Sequence, residues 1–136
     1  MDGLVGPWRL TEWIAERGDA REHPFGLAAE GRLIYDPAGV MAAFLLHPEW
    51  ASLPVDHVPQ RQRFISYSGR YRLEGDEVVH DVDASSDPRW IGRALRRRMA
   101  WEDDKLVLTA EPASSYGIGA LRHRLSWIRD TGRIGS

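Results

Sequence analysis

Alternation of apolar and polar residues with a period of two recurs along this 136-residue chain, and it constrains the fold more than any other feature. Successive side chains of a strand point to opposite faces, so each alternating segment predicts a strand with one buried face. A short helix is predicted at about residues 57–66, where Asp56 can cap the first turn and Pro59 fits within it. The predicted strands lie near residues 6–16, 30–35, 39–47, 68–73, 77–83, 92–101, 105–110 and 119–128. Eight strands with one short helix predict an antiparallel, all-β fold.

The links between the predicted strands alternate between short and long. The second, fourth and sixth links are the polar turns DPAG (36–39), EGDE (74–77) and EDDK (102–105), whereas the other four are longer and carry aromatic residues. In an up-and-down meander alternate links lie at opposite ends, so the tight turns would close one end and the long links would surround the other. We therefore predict an eight-stranded, antiparallel up-and-down β-barrel with a cup-shaped interior, which side chains can fill or which can hold one small ligand. An open two-sheet sandwich is the alternative fold.

The composition and net charge of the chain limit the classes of binding partner that we expect. With 43% hydrophobic and 28% charged residues the chain has the composition of a globular protein, and its length predicts one domain over residues 1–136. A net charge of −2 gives no global attraction to nucleic acid or to an anionic membrane, so neither is predicted as a partner. The chain has no cysteine, no leader-like N-terminus and no apolar run of membrane-spanning length, so a cytoplasmic protein is predicted. The sequence leaves open whether it forms a homo-oligomer.

A set of short motifs follows the order found in a known family. The motifs are Gly6-Pro7-Trp8-Arg9-Leu10 with Trp13, His23-Pro24-Phe25-Gly26, Gly31-Arg32-Leu33-Ile34-Tyr35, Tyr67-Ser68-Gly69-Arg70-Tyr71, Val79-His80, Pro88-Arg89-Trp90-Ile91-Gly92 and Leu125-Ser126-Trp127. In this order they resemble the bacterial and fungal lipocalin-like domains, within the calycin group of eight-stranded barrels. The resemblance implies a barrel with a cavity for a small, largely apolar molecule, in a group whose functions run from carriage to catalysis. The sequence departs from the family at Glu12, where a small polar residue is usual.

The resemblance also implies a structural role for the first tryptophan. In lipocalin-type barrels a Trp of the first strand is typically packed by an Arg of the last strand, in a cation–π contact that closes the floor of the barrel. We expect Trp8 to have this role, with Arg122, Arg124 or Arg129 as its partner.

Four ionisable residues share the predicted inward face of the strands: Glu12, His80, Arg97 and His123. An isolated charge inside an apolar chamber costs free energy, so these groups must be paired with an opposite charge, hydrated or used in the function of the protein. In a Glu12–Arg97 pair with two imidazoles nearby, the opposite charges would compensate each other and the pKa values of these groups would shift. We predict a catalytic role for all four residues. A structural alternative stays open for each, because a buried histidine can simply bond a backbone carbonyl and the other three side chains can face solvent.

Aromatic residues are the candidate ligand contacts, although each can equally fill the core. The substrate-binding candidates are Tyr35, Tyr71, Trp101 and Trp127 on the predicted inward face and Phe25, Trp90 and Tyr116 near the open rim. The five histidines have no His partner at i+2 or i+4 and no HExxH motif, so neither a metal site nor a cofactor is predicted.

Two functions fit this pattern. The first is a cofactor-independent isomerase or cyclase of specialised, polyketide-type metabolism, in which the cup orients an apolar, oxygenated substrate. Glu12 or His80 would transfer protons, and Arg97 would stabilise a developing enolate. The second is a non-catalytic carrier or sequestration protein, with Arg97 or His80 recognising the polar group of a hydrophobic small molecule. The density of ionisable groups on the inward face favours the enzyme.

Overall fold

The computed structural model describes residues 3–52, 64–112 and 121–131. Nine β-strands occur in these residues, with 3-10 turns at Trp50–Ser52 and Pro88–Trp90. The strands are β1 (Gly6–Arg17), β2 (Ala20–Glu22), β3 (Glu30–Tyr35), β4 (Val40–Leu46), β5 (Phe64–Glu74), β6 (Glu77–Ser85), β7 (Ala94–Glu102), β8 (Lys105–Ala110) and β9 (Arg122–Arg129). No helix within these ranges is long and apolar enough to cross a membrane.

The strands form one antiparallel sheet that closes on itself. Each of β3 to β9 pairs with the strand before it in the barrel, and β1 pairs with both β3 and β9. The short strand β2 pairs with the end of β1, at residues 15–17. Eight strands, β1 and β3 to β9, therefore close an up-and-down barrel in the described part of the chain. The predicted all-β barrel is confirmed, and the two-sheet sandwich is wrong.

Tight turns and a tryptophan close one end of the barrel. Trp8 is buried at this end, and its indole N–H donates to the Leu4 carbonyl at 2.9 Å. The guanidinium carbon of Arg129 lies 4.2 Å from the centroid of the Trp8 ring, and the same guanidinium donates to the carbonyls of Gly3 and Val5. The predicted cation–π contact is confirmed, with Arg129 as the partner. We call this the closed end.

A β-bulge in β1 changes which side chains face inward. The register between β1 and β9 shifts between Leu10 and Glu12. Trp8 and Leu10 face inward before the bulge, whereas Trp13 faces inward after it. A slip of one residue moves every following side chain to the other face. The prediction that Glu12 faces the interior is therefore wrong.

The connection before β5 differs from the sequence-based expectation. Residues 57–63 of the predicted helix lie outside the described residues, and residues 64–66 belong to β5. The inward face of β4, which its apolar sequence left undefined, carries the buried Met41 and Ala43.

The longer β5 brings an additional aromatic side chain inside the barrel. Ile65, Tyr67 and Tyr71 share one face of β5 and pack against the core. Gly69 lies between them at a second bulge, where an added Cβ would be 1.9 Å from the carbonyl oxygen of Asp81. Only glycine fits this close approach of β5 and β6.

Candidate ligand cavity

The barrel contains a cavity of about 70 Å³ that is partly open to solvent. The apolar part of its wall consists of Trp13, Leu33, Ala43, Phe44, Leu45, Ile65, Trp90, Leu95, Leu108, Ala110, Leu125 and Trp127, and the polar part of Tyr67, His80, Arg97 and His123. One buried water needs at least about 10–15 Å³. The cavity as it stands therefore has room for a few waters or a short organic chain, and it is smaller than the roughly 300–1,000 Å³ of a drug-sized site.

His80 is held in the wall by two tyrosines. Its Nε2 lies 2.7 Å from the hydroxyl of Tyr35 and its Nδ1 lies 2.7 Å from the hydroxyl of Tyr67. The side chain is buried, and this burial, with the charge of Arg97 as the smaller cause, lowers the pKa of His80 to about 3. A neutral imidazole has one N–H, so one tyrosine donates to the ring and the other accepts from it. Both nitrogens of His80 are thus occupied.

His123 leaves one hydrogen-bond donor unused. The indole N–H of Trp13 donates to Nδ1 of His123 at 2.9 Å. Burial, and secondarily the charge of Arg97, lowers the pKa of His123 to about 4, so the ring is neutral near pH 7. Because Nδ1 accepts, the ring proton must be on Nε2. Neither this N–H nor the indole N–H of Trp127 has an acceptor among the described residues. A buried donor without an acceptor costs about 1–3 kcal/mol.

Arg97 adds a permanent positive charge to the same wall. Its neighbours Arg96 and Arg98 face outward, where they pair with Glu74 and Glu111. Arg97 lines the cavity, and one of its N–H groups donates to the backbone carbonyl of Arg96 at 3.1 Å. In residues 3–52, 64–112 and 121–131 no carboxylate lies within ion-pairing distance of Arg97. Since both cavity histidines are neutral, the described lining side chains carry one net positive charge.

The sequence matches the lipocalin-like domain family over residues 5–129. The chain belongs to this family. The matched range includes every strand of the barrel and therefore the whole described wall of the cavity. The family resemblance inferred from the motifs is confirmed, and a lipocalin-like barrel is suited to binding a small hydrophobic ligand. No curated protein matches the sequence.

Two solved structures are distantly similar to this lipocalin-like domain over most of their length. One is an uncharacterised protein from Bacteroides eggerthii, which is 12% identical, with 90% of this chain and 98% of that chain covered and a TM-score of 0.44. The other is the wild-type fluorescent protein UnaG, which is 16% identical, with 95% of this chain and 98% of that chain covered and a TM-score of 0.43. Both similarities are distant, and no functional conclusion follows from them.

Three of the four predicted ionisable site residues line the cavity of the lipocalin-like domain: His80, Arg97 and His123. Glu12 does not. Its side chain is 47% exposed, and its carboxylate lies 3.2 Å from Nε2 of His23. The predicted Glu12–Arg97 pair is therefore wrong, because the bulge in β1 turns Glu12 outward. The catalytic roles assigned to the other three stay predictions.

Some of the predicted aromatic contacts lie at the cavity. Trp90 and Trp127 line it, and the rings of Trp90 and Tyr67 form a T-shaped contact with a centroid distance of 5.7 Å. Tyr35 does not line the cavity; it is fully buried in the core of the barrel, and its hydroxyl is hydrogen-bonded to His80. Phe25 packs edge-on against the cavity residue Trp13, with a centroid distance of 4.8 Å. Their contact with a ligand stays a prediction.

The other predicted aromatic contacts lie elsewhere. The hydroxyl of Tyr71 donates to the carbonyl of Asp36, in a tight turn of the closed end, at 2.8 Å. Trp101 is 53% exposed, and its ring centroid lies 5.8 Å from that of Trp8. The prediction that Trp101 lines the cavity is wrong. Trp101 has the inward phase of β7, but it lies next to the 102–105 turn and therefore below the floor of the barrel. Tyr116 lies outside the described residues.

Tyr67 and Trp13 are cavity residues that sequence reasoning missed. The period-two pattern of Tyr71 and Gly69 continues back to Tyr67 and Ile65, so a longer β5 would have placed Tyr67 on the inward face. Trp13 carried no such pattern, because its inward direction depends on the bulge.

Proposed function

We propose that this lipocalin-like domain binds a small, largely apolar molecule with an oxygen-containing polar group in its barrel cavity. The observation that carries the proposal is the wall itself. It is apolar over most of its area, yet among the described residues two of its buried N–H groups have no acceptor and the guanidinium of Arg97 has no carboxylate partner. Such a wall fits a ligand that buries an apolar body and offers acceptor atoms to these donors. Binding alone gives every one of these polar groups a partner without requiring a reaction.

Tryptophan fluorescence provides the test, because Trp13, Trp90 and Trp127 line the cavity. Titration with 1-hexanol and with hexanoate should give a saturable change with one site per chain for at least one of the two. Replacing the cavity residue Ala43 by Leu should weaken binding about tenfold by filling the space. The same substitution at Ala42, which is exposed on the other face of β4, should leave binding unchanged. Absence of binding, or equal binding by a folded Ala43→Leu variant, would contradict a cavity site.

A second candidate function is the cofactor-independent isomerase or cyclase. The hydrogen-bonded chain from Tyr35 through His80 to Tyr67 supports it, because the Tyr67 hydroxyl lines the cavity and such a chain can pass a proton. Burial raises the pKa of both hydroxyls, an effect that Arg97 partly offsets. Because a raised pKa keeps the Tyr67 hydroxyl protonated, Tyr67 would act as an acid. Glu12 has no part in this candidate. A polyketide-type substrate would need more than the present volume of about 70 Å³.

Deuterium exchange distinguishes the two candidates. An isomerase or cyclase of this kind should accelerate exchange of the α-hydrogens of cyclohexanone with D2O by at least about 100-fold, the usual contribution of a positioned acid or base. Exchange is followed by NMR. Tyr67→Phe should remove the acceleration, and Tyr71→Phe, at the closed end, should not. No acceleration by the wild-type protein would leave binding without catalysis.

A further inference from the structure

We propose that the cavity selects small apolar carboxylic acids and binds them as their anions. This ligand class rests on the binding function proposed above and adds the identity of the polar group. The position of Arg97 supports it. Among the described cavity residues Arg97 carries the one permanent charge, and each neighbouring arginine of β7 already has a carboxylate partner on the outer surface.

The strand register brings Arg97 and the unsatisfied N–H of His123 to one level of the barrel. Arg98 pairs with Thr109, which places Arg97 beside Ala110, and Ala110 pairs with His123. Neighbouring strands are about 4.8 Å apart, so the Cα atoms of Arg97 and His123 are about 10 Å apart across β8. Ala110 between them has the smallest chiral side chain. This small side chain leaves space on the cavity side of β8 for a ligand group that contacts both Arg97 and the N–H of His123.

A carboxylate fits these donors better than a neutral oxygen does. A guanidinium presents parallel N–H groups that match the two oxygens of a carboxylate, and the neutral imidazole offers a further donor through Nε2. An alcohol or ketone can accept the same hydrogen bonds, but it leaves the charge of Arg97 without an ionic partner. A cationic ligand would meet repulsion, since the described lining has no negative side chain.

The volume limits the apolar body of the acid. A cavity of about 70 Å³ accepts a short aliphatic chain or one small ring. The aliphatic residues Leu33, Leu95 and Leu108 supply its surroundings. Short unbranched acids such as hexanoate are therefore the appropriate probes.

The decisive comparison uses matched probes on the wild-type protein. Hexanoate, 1-hexanol and methyl hexanoate share one apolar chain and differ in charge. Affinities measured by isothermal titration and tryptophan fluorescence at pH 7.5 should be at least about tenfold higher for hexanoate than for the two neutral compounds. Equal affinities would overturn the carboxylate inference and leave the proposed binding function standing. Failure of all three to bind would overturn the binding function as well.

Two arginine variants locate the carboxylate. Arg97→Met keeps most of the apolar stem and should reduce hexanoate affinity about tenfold or more while changing 1-hexanol affinity less than about twofold. Arg96→Met is the matched control on the same strand, because Arg96 faces outward and pairs with Glu74 and Glu77, and it should bind hexanoate as the wild type does. If Arg97→Met does not fold, Arg97→Lys, which keeps the charge but loses the planar guanidinium, should give a smaller loss that is still specific to hexanoate. Unchanged hexanoate affinity in a folded Arg97 variant would place the carboxylate elsewhere and overturn the assignment.

Discussion

At the scale of single residues, two buried neutral histidines link the stability of the barrel to pH. Burial lowers the pKa of His80 to about 3 and that of His123 to about 4, whereas both rings titrate near 6.5 in the unfolded chain. The unfolded state therefore binds more protons than the folded state below pH 6.5. The stabilisation from the neutral rings is complete above pH 6.5, and it is lost as the pH falls toward 4 and 3. Each histidine should contribute about 1.4 kcal/mol per pH unit to the slope of the unfolding free energy in this window.

Urea denaturation at several pH values between 4.5 and 6 measures this slope. His80→Gln, whose amide can still bond both tyrosine hydroxyls, should reduce the slope by about 1.4 kcal/mol per pH unit. His123→Gln should reduce it by a similar amount, and the double variant by about twice as much. A slope that stays at the wild-type value in His80→Gln would mean that His80 takes up its proton inside the folded barrel.

The three consecutive arginines of β7 show how one position along a strand decides whether a side chain faces solvent or the cavity. Arg96 and Arg98 form surface ion pairs, which contribute little to stability because water screens them. Arg97 points to the cavity, as the alternation of β7 predicted. The run of arginines by itself has no internal phase, so the sequence left an exposed Arg97 open as the alternative. Leu95 and Met99, which share its face and are both at least partly buried, define that phase in the fold.

At the scale of strands, the period-two pattern predicted the barrel well, but it failed where the ladder is irregular. The positions of all eight barrel strands agree with the prediction to within about four residues, because each strand has one buried face. Two bulges, in β1 and at the β5–β6 pairing, insert residues that the alternation does not record. The first bulge exchanges Glu12 for Trp13 on the inward face. A bulge depends on the partner strand as well as on its own sequence, so a single strand pattern cannot reveal it.

The strand ends explain the remaining differences at the cavity. Alternation gives the face of a side chain but not its height along the barrel, which depends on the stagger between strands. Trp101 has the inward phase of Leu95 and Arg97 but lies next to a tight turn at the closed end. Tyr67 has the same phase as Tyr71 but lies four residues closer to the open end. The position along the strand therefore excludes Trp101 from the cavity wall and places Tyr67 in it.

At the scale of the whole molecule, contacts at the closed end stabilise the barrel, whereas the cavity above them is the proposed ligand site. The closed end contains the tight turns, the Trp8–Arg129 contact and the hydrogen bond from Tyr71 to the 36–39 turn. The cavity begins above it and is lined by residues from β1 and from β3 to β9. Because Trp8 belongs to the first strand and Arg129 to the last, their contact also joins the two ends of the sheet. Stability and ligand binding should therefore respond to different substitutions.

Arg129→Met tests this division. The variant loses the cation–π contact with Trp8 and the hydrogen bonds to the carbonyls of Gly3 and Val5. Because the guanidinium is partly exposed, we expect the unfolding free energy to fall by about 1–2 kcal/mol. Arg122→Met is the control on the same strand: it removes a surface ion pair with Glu111 and should cost less than about 0.5 kcal/mol.

Hexanoate affinity completes the test of the closed end. Arg129 lies below the floor, so folded Arg129→Met should bind hexanoate within about twofold of the wild type, in contrast to Arg97→Met. Chemical denaturation and titration on the same samples give both quantities. Equal stability of the Arg129 and Arg122 variants would mean that the cation–π contact does not hold the closed end together. A loss of hexanoate affinity in Arg129→Met would mean that the first and last strands transmit strain from the floor to the cavity wall.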